Sequence, residues 1–102
     1  MEALKVSTKS QPKSVAGAIA AIVRNNESVE INTIGAGAVN QAVKSICVAR
    51  GYLEPEELDI VTLPSFVQLD VDGEERTSIR FEIRKTERQR QTGFEEAQKS
   101  DE

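Results

Sequence analysis

The strongest fold signal in the sequence is an Asp-Gly pair, Asp72-Gly73, between two strand-forming stretches. Asp-Gly suits the two-residue turn of a β-hairpin, because both central residues of that turn take a positive φ. Residues 58–71 before the pair are rich in β-branched and aliphatic side chains, and residues 76–85 after it alternate polar and apolar side chains. The sequence therefore predicts a long antiparallel hairpin.

The register of this hairpin breaks one rule of sheet patterning. A two-residue turn places Leu69 opposite Arg76 and Val67 opposite Ser78, so aliphatic side chains share a face with polar ones. Two interpretations follow. Either a bulge near Pro64 shifts the register, or the hairpin projects beyond the core and uses both of its faces, one of them against a partner.

Periodicity predicts two strands and two helices ahead of the hairpin. Alternation over residues 3–7 and a β-branched run over 29–34 predict the strands. Helical spacing of apolar residues predicts one helix over about 12–25 and a second from the turn at 35–37 to a stop at Gly51. The predicted fold is α/β: a two-layer sandwich in the order β-α-β-α-β-β, with a four-stranded mixed sheet and two helices on one face.

Composition excludes several functional classes. The 102 residues include no His and one Cys, which removes the commonest general base, the commonest metal ligand and any intramolecular disulfide. No motif assembles a base, a nucleophile and an oxyanion site, so we predict no enzyme, no cofactor and no metal site. No apolar run is long enough to cross a membrane and no signal peptide is recognisable, so a cytoplasmic protein without a membrane partner is expected.

The formal net charge of -4 hides strong local differences. Residues 1–53 hold six basic and three acidic side chains, whereas residues 54–75 hold eight acidic side chains and no basic one. An acidic total argues against nucleic acid, because phosphate contacts need Lys and Arg. The segregation leaves two interpretations open: separate positive and negative surfaces, or blocks that fold into ordinary ion pairs.

One domain is predicted over residues 1–86, followed by a disordered polar tail over 87–102. The tail contains one large apolar residue, Phe94, and no apolar periodicity. Because a domain of this size has a marginal core, a homodimer that covers further apolar surface is expected.

Four stretches of the sequence resemble the stage V sporulation protein S family. They read LKVSTKSQPKSVAG over residues 4–17, IGAGAVNQAVK over 34–44, ARGY over 49–52 and DGEERT over 72–77. That family in turn resembles the Alba chromatin proteins. The resemblance implies an Alba-like sandwich that dimerises, binds nucleic acid and regulates sporulation or development in bacteria.

The resemblance to Alba proteins also implies site residues. Their basic loop after the first strand corresponds to residues 8–13 here, which assigns Lys9 and Lys13 to phosphate contacts. Two features depart from the Alba pattern. The start of the second helix is neutral rather than basic, and the hairpin tip over residues 70–75 carries four acidic side chains, which phosphate would repel.

Further candidates come from the predicted topology. A β-α-β-α order can bring Lys44 of the second helix to the same end of the sheet as the lysines of the first loop. Asn40 and Gln41 either hydrogen-bond a nucleic acid, or contact solvent or cap a neighbouring loop. Arginines of the hairpin are expected to assist. The predicted nucleic-acid-binding side chains are Lys9, Lys13, Asn40, Gln41, Lys44, Arg76 and Arg80.

Three other motifs have alternative interpretations. The Gly35-x-Gly37 motif either binds an anion at the positive end of the second helix or makes a tight turn with close packing, which is favoured. Cys47 lies on an apolar stripe with Val43 and Ile46 and is predicted to be buried core. The acidic residues over 54–59 are interpreted as a solvated turn.

The sequence leaves two functions open. The first is a small dimeric regulator that binds DNA or RNA, mainly through the phosphate backbone. The second is a protein-interaction module that binds no nucleic acid and docks a protein partner through its acidic hairpin.

Overall fold

The structure is a computed structural model that describes residues 1–89. Its strands are β1 (Glu2–Val6), β2 (Val29–Thr33), β3 (Leu58–Val71) and β4 (Glu74–Glu87), and its helices are α1 (Pro12–Arg24) and α2 (Ala36–Leu53). One 3₁₀ turn, Glu54–Glu56, joins α2 to β3. The predicted order β-α-β-α-β-β is confirmed.

The four strands form one mixed sheet in the order β1-β2-β4-β3. β1 and β2 are parallel, whereas β2–β4 and β3–β4 are antiparallel. Each of the two parallel strands leads into a helix, so α1 and α2 both begin at the carboxyl end of their strand. The N-termini of both helices therefore meet at one end of the sheet.

The core lies between the sheet and the two helices. The largest apolar side chains buried in it are Ile19, Ile31, Leu53, Ile60, Phe81 and Ile83. The buried hydroxyl of Thr33 donates to the carbonyl oxygen of Ile79 at 2.8 Å. Among the described residues, every buried side-chain nitrogen and oxygen has a hydrogen-bond partner, as a stable interior requires.

Helix α2 departs from the predicted pattern in two ways. It continues past Gly51, because Leu53 is fully buried and its packing outweighs the cost of a glycine inside the helix. Cys47 and Val43 are exposed, so the prediction that Cys47 belongs to the core is wrong. Small side chains form most of the buried face instead, namely those of Ala38, Ala42, Ser45 and Ala49. Their size lets the backbone of α2 approach its neighbours closely.

The hairpin pairs without interruption, and both register pairs predicted at its distal end are present. Its turn residues Asp72 and Gly73 have φ angles of 52° and 79°, as a two-residue hairpin turn requires. Pro64 pairs in register with Phe81, so no bulge lies there. Since β4 pairs with β2 only over residues 79–83, the hairpin projects beyond the core, as the second interpretation predicted.

Residues 87–89, assigned above to the tail, are bonded to the domain. β4 ends at Glu87, and the Gln89 amide donates to Oδ2 of Asp59 at 3.0 Å. The rest of the predicted disordered tail, residues 90–102, lies outside the described residues. Within residues 1–89, no helix is long and apolar enough to cross a membrane.

Candidate functional site

The loop between β1 and α1 is held in shape by its own serines. The Ser7 amide donates to Oγ of Ser10 at 2.9 Å, and the Lys9 amide donates to Oγ of Ser7 at 3.2 Å. These short-range bonds fix the loop backbone without using the Lys9 side chain, which is exposed. The first candidate lysine is therefore presented on an ordered loop.

Helix α2 anchors this loop from the other side. Nε2 of Gln41 donates to the carbonyl oxygens of Ser10 at 3.0 Å and Thr8 at 3.3 Å. Gly37 lies so close to Thr8 that a Cβ atom added to it would sit 2.9 Å from Oγ1 of Thr8. Gln41 thus caps the neighbouring loop, and Gly37 provides close packing, as the favoured interpretation of the glycine motif predicted.

The two other candidate lysines meet across a groove between the helices. Lys13 on α1 and Lys44 on α2 both border this groove, which has a volume of about 660 Å³. Asn40 is exposed one helical turn before Lys44, on the same side of α2. Within residues 1–89, no carboxylate forms a salt bridge with Lys9, Lys13 or Lys44. We call the groove with its two bordering lysines the basic groove.

The helix N-termini add positive potential at the loop end of this surface. The N-cap residues, Gln11 of α1 and Gly35 of α2, make no side-chain capping bond, and neither first turn contains an acidic residue. The first amides of a helix point out of its N-terminus and carry the positive end of its dipole. This end of the molecule therefore has positive potential from backbone amides as well as from lysines.

Arg76 and Arg80 are not brought to the basic groove. Their register places both on the face of the sheet that points away from the helices, opposite Leu69 and Ser65. Arg80 lies 3.6 Å from a carboxylate oxygen of Glu30. The structure thus brings Lys13 and Lys44 together at the basic groove, places Lys9 on the loop before α1, and leaves the two hairpin arginines on another surface.

The hairpin tip brings negative charge near the same end of the sheet. Asp70 borders a cavity of about 440 Å³ that is also lined by Lys5, Ser7 and Thr8. An anion at the loop would be repelled from this side and drawn toward the groove side. The acidic tip therefore limits the surface available to phosphate.

A buried ion-pair network was missed by the sequence analysis, which interpreted Asp59 as part of a solvated turn. Asp59 is fully buried and accepts two hydrogen bonds from Arg50, at 2.7 and 2.8 Å, while Arg88 lies 3.7 Å away. Burial by itself would raise the pKa of the Asp59 carboxyl, but the bonds from Arg50, Gln89 and Ile60 lower that pKa well below its usual range. The signal available was an Asp between Leu58 and Ile60 at the start of an apolar strand.

An apolar surface lies on the helix-facing side of the projecting hairpin, next to the start of α2. Phe66 is 77% exposed there. The first turns of α2 and the hairpin form a shallow cavity around it, lined by Gly35, Ala36, Val39, Phe66, Thr77 and Ile79. We call this the Phe66 surface. The part of the chain that the structure describes contains no cluster of three or more His, Cys, Asp or Glu residues arranged to hold a metal ion.

Comparisons with known proteins bear on both the sequence and the fold. A family model described as Stage V sporulation protein S (SpoVS) matches residues 2–86 of the chain. Among solved structures, the chain is similar to Alba from Thermoplasma volcanium, with a TM-score of 0.55 and 15% sequence identity, over 81% of this chain and 99% of that one. At this identity the likeness concerns the fold, and it confirms the predicted Alba-like sandwich.

Proposed function

The chain belongs to the stage V sporulation protein S family, and we propose that it is a homodimeric regulator of sporulation or development that binds the phosphate backbone of DNA or RNA. The observation that supports the proposal is the position of Lys13 and Lys44 on the two sides of the basic groove, with the loop that carries Lys9 preceding α1. A cytoplasmic location in a bacterium follows from this function.

The side chains at the basic groove suit contacts with the phosphate backbone of a nucleic acid better than sequence-specific contacts with its bases. Lysine ammonium groups act as point charges that suit phosphate, whereas base readout uses planar Arg, Asn or Gln side chains in a groove. Gln41 is already bonded to the loop, so Asn40 is the remaining amide at this surface. Binding with little sequence preference is therefore expected.

A dimer would extend this small basic surface. The Phe66 surface is apolar and lies beside the start of α2, so a second copy seated on it would place two sets of lysines in one particle. Burying an exposed phenyl ring supplies a driving force for association. The proposed dimer therefore uses the Phe66 surface and leaves the basic groove open to nucleic acid.

The proposal is tested by fluorescence anisotropy with labelled duplex DNA, single-stranded DNA and RNA at ~50 mM salt, where counterion release favours binding. Lys13→Ser and Lys44→Ser should each weaken binding about three- to tenfold. Lys85→Ser is the matched control, because it removes the same charge from the opposite end of the fold, where Lys85 bonds Asn26. Absence of binding by the parent chain, or equal losses in all three variants, would count against the proposal.

A protein-binding role is the second candidate, and the exposed acidic tip favours it. The tip carries Asp70, Asp72, Glu74 and Glu75 on a turn that projects from the domain. A basic partner would be attracted to this cluster. A pull-down in which all four residues are changed to Ser should lose such a partner, and retention of every partner would exclude the acidic tip as the docking element.

A further inference from the structure

The acidic hairpin tip carries an exposed apolar side chain. Val71 pairs with Glu74 across the turn, and Val71 is 37% exposed. Directly paired residues share one face of a hairpin, so Val71 and Glu74 lie on the same face, with Asp72 of the turn next to both. Within residues 1–89, no basic side chain forms a salt bridge with the four acids of the tip. The tip therefore presents one apolar group bordered by carboxylates.

The basic groove has the complementary arrangement of charge and apolar surface. Lys13 and Lys44 border it, and its lining also includes Val43 and Val48. Val43 is 44% exposed there. Exposed apolar side chains rimmed by charged ones are typical of a surface that docks a partner. The groove therefore matches the tip in two respects: its valines suit Val71, and its two ammonium groups suit the carboxylates.

The tip and the groove of one chain lie on different sides of the molecule. Asp70 and Val71 line a cavity together with Lys5 and Asn32. Lys5 pairs with Asn32, and Asn32 pairs with Arg80, so the tip lies toward the sheet face that points away from the helices. The basic groove lies in the other layer, between α1 and α2. The groove that the tip can reach is therefore that of another copy of the chain.

We propose that the hairpin tip of one copy docks in the basic groove of another. Val71 covers Val43, and Asp72 and Glu74 lie beside Lys13 and Lys44. Because the tip and the groove are different surfaces, the contact is heterologous, and each copy can both offer a tip and receive one. The proposed dimer uses the Phe66 surface, so these contacts join dimers into larger assemblies. The tip is short, and the contact is therefore expected to be weak and reversible.

A disulfide trap tests the contact on the full chain, because the single cysteine, Cys47, lines the groove. Val71→Cys places a second thiol at the tip and leaves the charge unchanged. Val61→Cys is the matched control, since Val61 is an exposed valine on the same face of the same strand, away from the tip. Under oxidised glutathione, Val71→Cys should give about tenfold more disulfide to Cys47 of another copy than Val61→Cys, measured by peptide mass mapping. Equal yields would overturn the proposal.

A mixing experiment tests the role of the two lysines. A chain with Val71→Cys and Cys47→Ser supplies the tip, and a second chain that keeps Cys47 supplies the groove. Lys13→Ser/Lys44→Ser in the second chain should lower the disulfide yield about fivefold, whereas Lys85→Ser should not change it. Each yield is divided by the reactivity of Cys47 toward a small disulfide reagent, so that a change in the thiol itself does not enter. An undiminished yield in the double variant would overturn the proposal.

The docking competes with nucleic acid, and this consequence rests on the proposed function, whereas the docking itself does not. A docked tip occupies the two lysines that phosphate would contact, so excess nucleic acid at ~50 mM salt should lower the disulfide yield of Val71→Cys. If the disulfide forms and nucleic acid does not lower its yield, the docking stands and the proposed function fails. If the parent binds nucleic acid and Val71→Cys gives no more disulfide than Val61→Cys, the docking fails and the proposed function stands.

Discussion

Asp59 connects the last described residues of the domain to α2. Its carboxylate joins α2 through Arg50 to the last described residues through Gln89. We expect Asp59→Asn to lower the free energy of unfolding at neutral pH by about 2–3 kcal/mol, because it leaves the guanidinium of Arg50 without its partner. Urea unfolding measures this, with Glu56→Gln of the exposed Arg24–Glu56 pair as control, where a loss below about 1 kcal/mol is expected.

The pH dependence of the stability difference between the parent and Asp59→Asn tests whether the charge of Asp59 stabilises the fold. Because the folded-state pKa of Asp59 is lowered, its stabilisation is complete above its unfolded pKa and is lost as the pH falls toward the folded pKa. The difference between parent and Asp59→Asn should therefore shrink below about pH 4, by about 1.4 kcal/mol per pH unit. A difference that stays constant down to about pH 2.5 would show that the charge of Asp59 is not what stabilises the fold.

Single residues were the hardest part of the structure to predict. Periodicity identified apolar residues on α2, but it could not show that small side chains form the buried face and that Cys47 points outward. Nor does local sequence reveal that Asp59 has a partner in Arg50, because that bond joins a strand to a helix. Gln41 was predicted with two alternatives, and tertiary packing on the loop decided between them.

Among the elements, the hairpin is the one that the sequence pattern predicted best. Its register also has the largest structural consequence. Its register was predictable because Asp72-Gly73 fixes the turn and the turn fixes every later pair. That register pairs Phe66 with Ile79, at a position that the helices do not cover. The exposed Phe66 surface results from this placement.

Phe66→Ser should weaken the proposed dimer about 30-fold while leaving the folded monomer intact, because the phenyl ring is exposed in the single chain. Sedimentation equilibrium measures the dissociation constant. Leu63→Ser is the matched control: it removes an exposed apolar side chain from the opposite face of the same strand. Equal weakening by both variants would mean that the Phe66 surface is not the dimer interface.

At the scale of the whole molecule, the fold answers the question that the net charge left open. Part of the acidic block is neutralised in ion pairs, since Glu54, Glu56 and Asp59 each contact an arginine. The acids of the hairpin tip stay exposed, and the candidate lysines gather at the helix starts and the groove. Sequence segregation left separate charged surfaces and ordinary ion pairs both open, and only the fold shows which charges remain available to a partner.

The salt dependence of binding shows whether Lys13 and Lys44 contact phosphate. The slope of log K against log salt is measured for the parent, for the double variant Lys13→Ser/Lys44→Ser and for Lys85→Ser. Each lost phosphate contact should reduce the steepness by about 0.9 on duplex DNA and about 0.7 on a single strand. We expect a reduction of about 1.8 on duplex DNA or about 1.4 on a single strand for the double variant and none for Lys85→Ser. An unchanged slope in the double variant, with binding intact, would show that these two lysines do not contact phosphate.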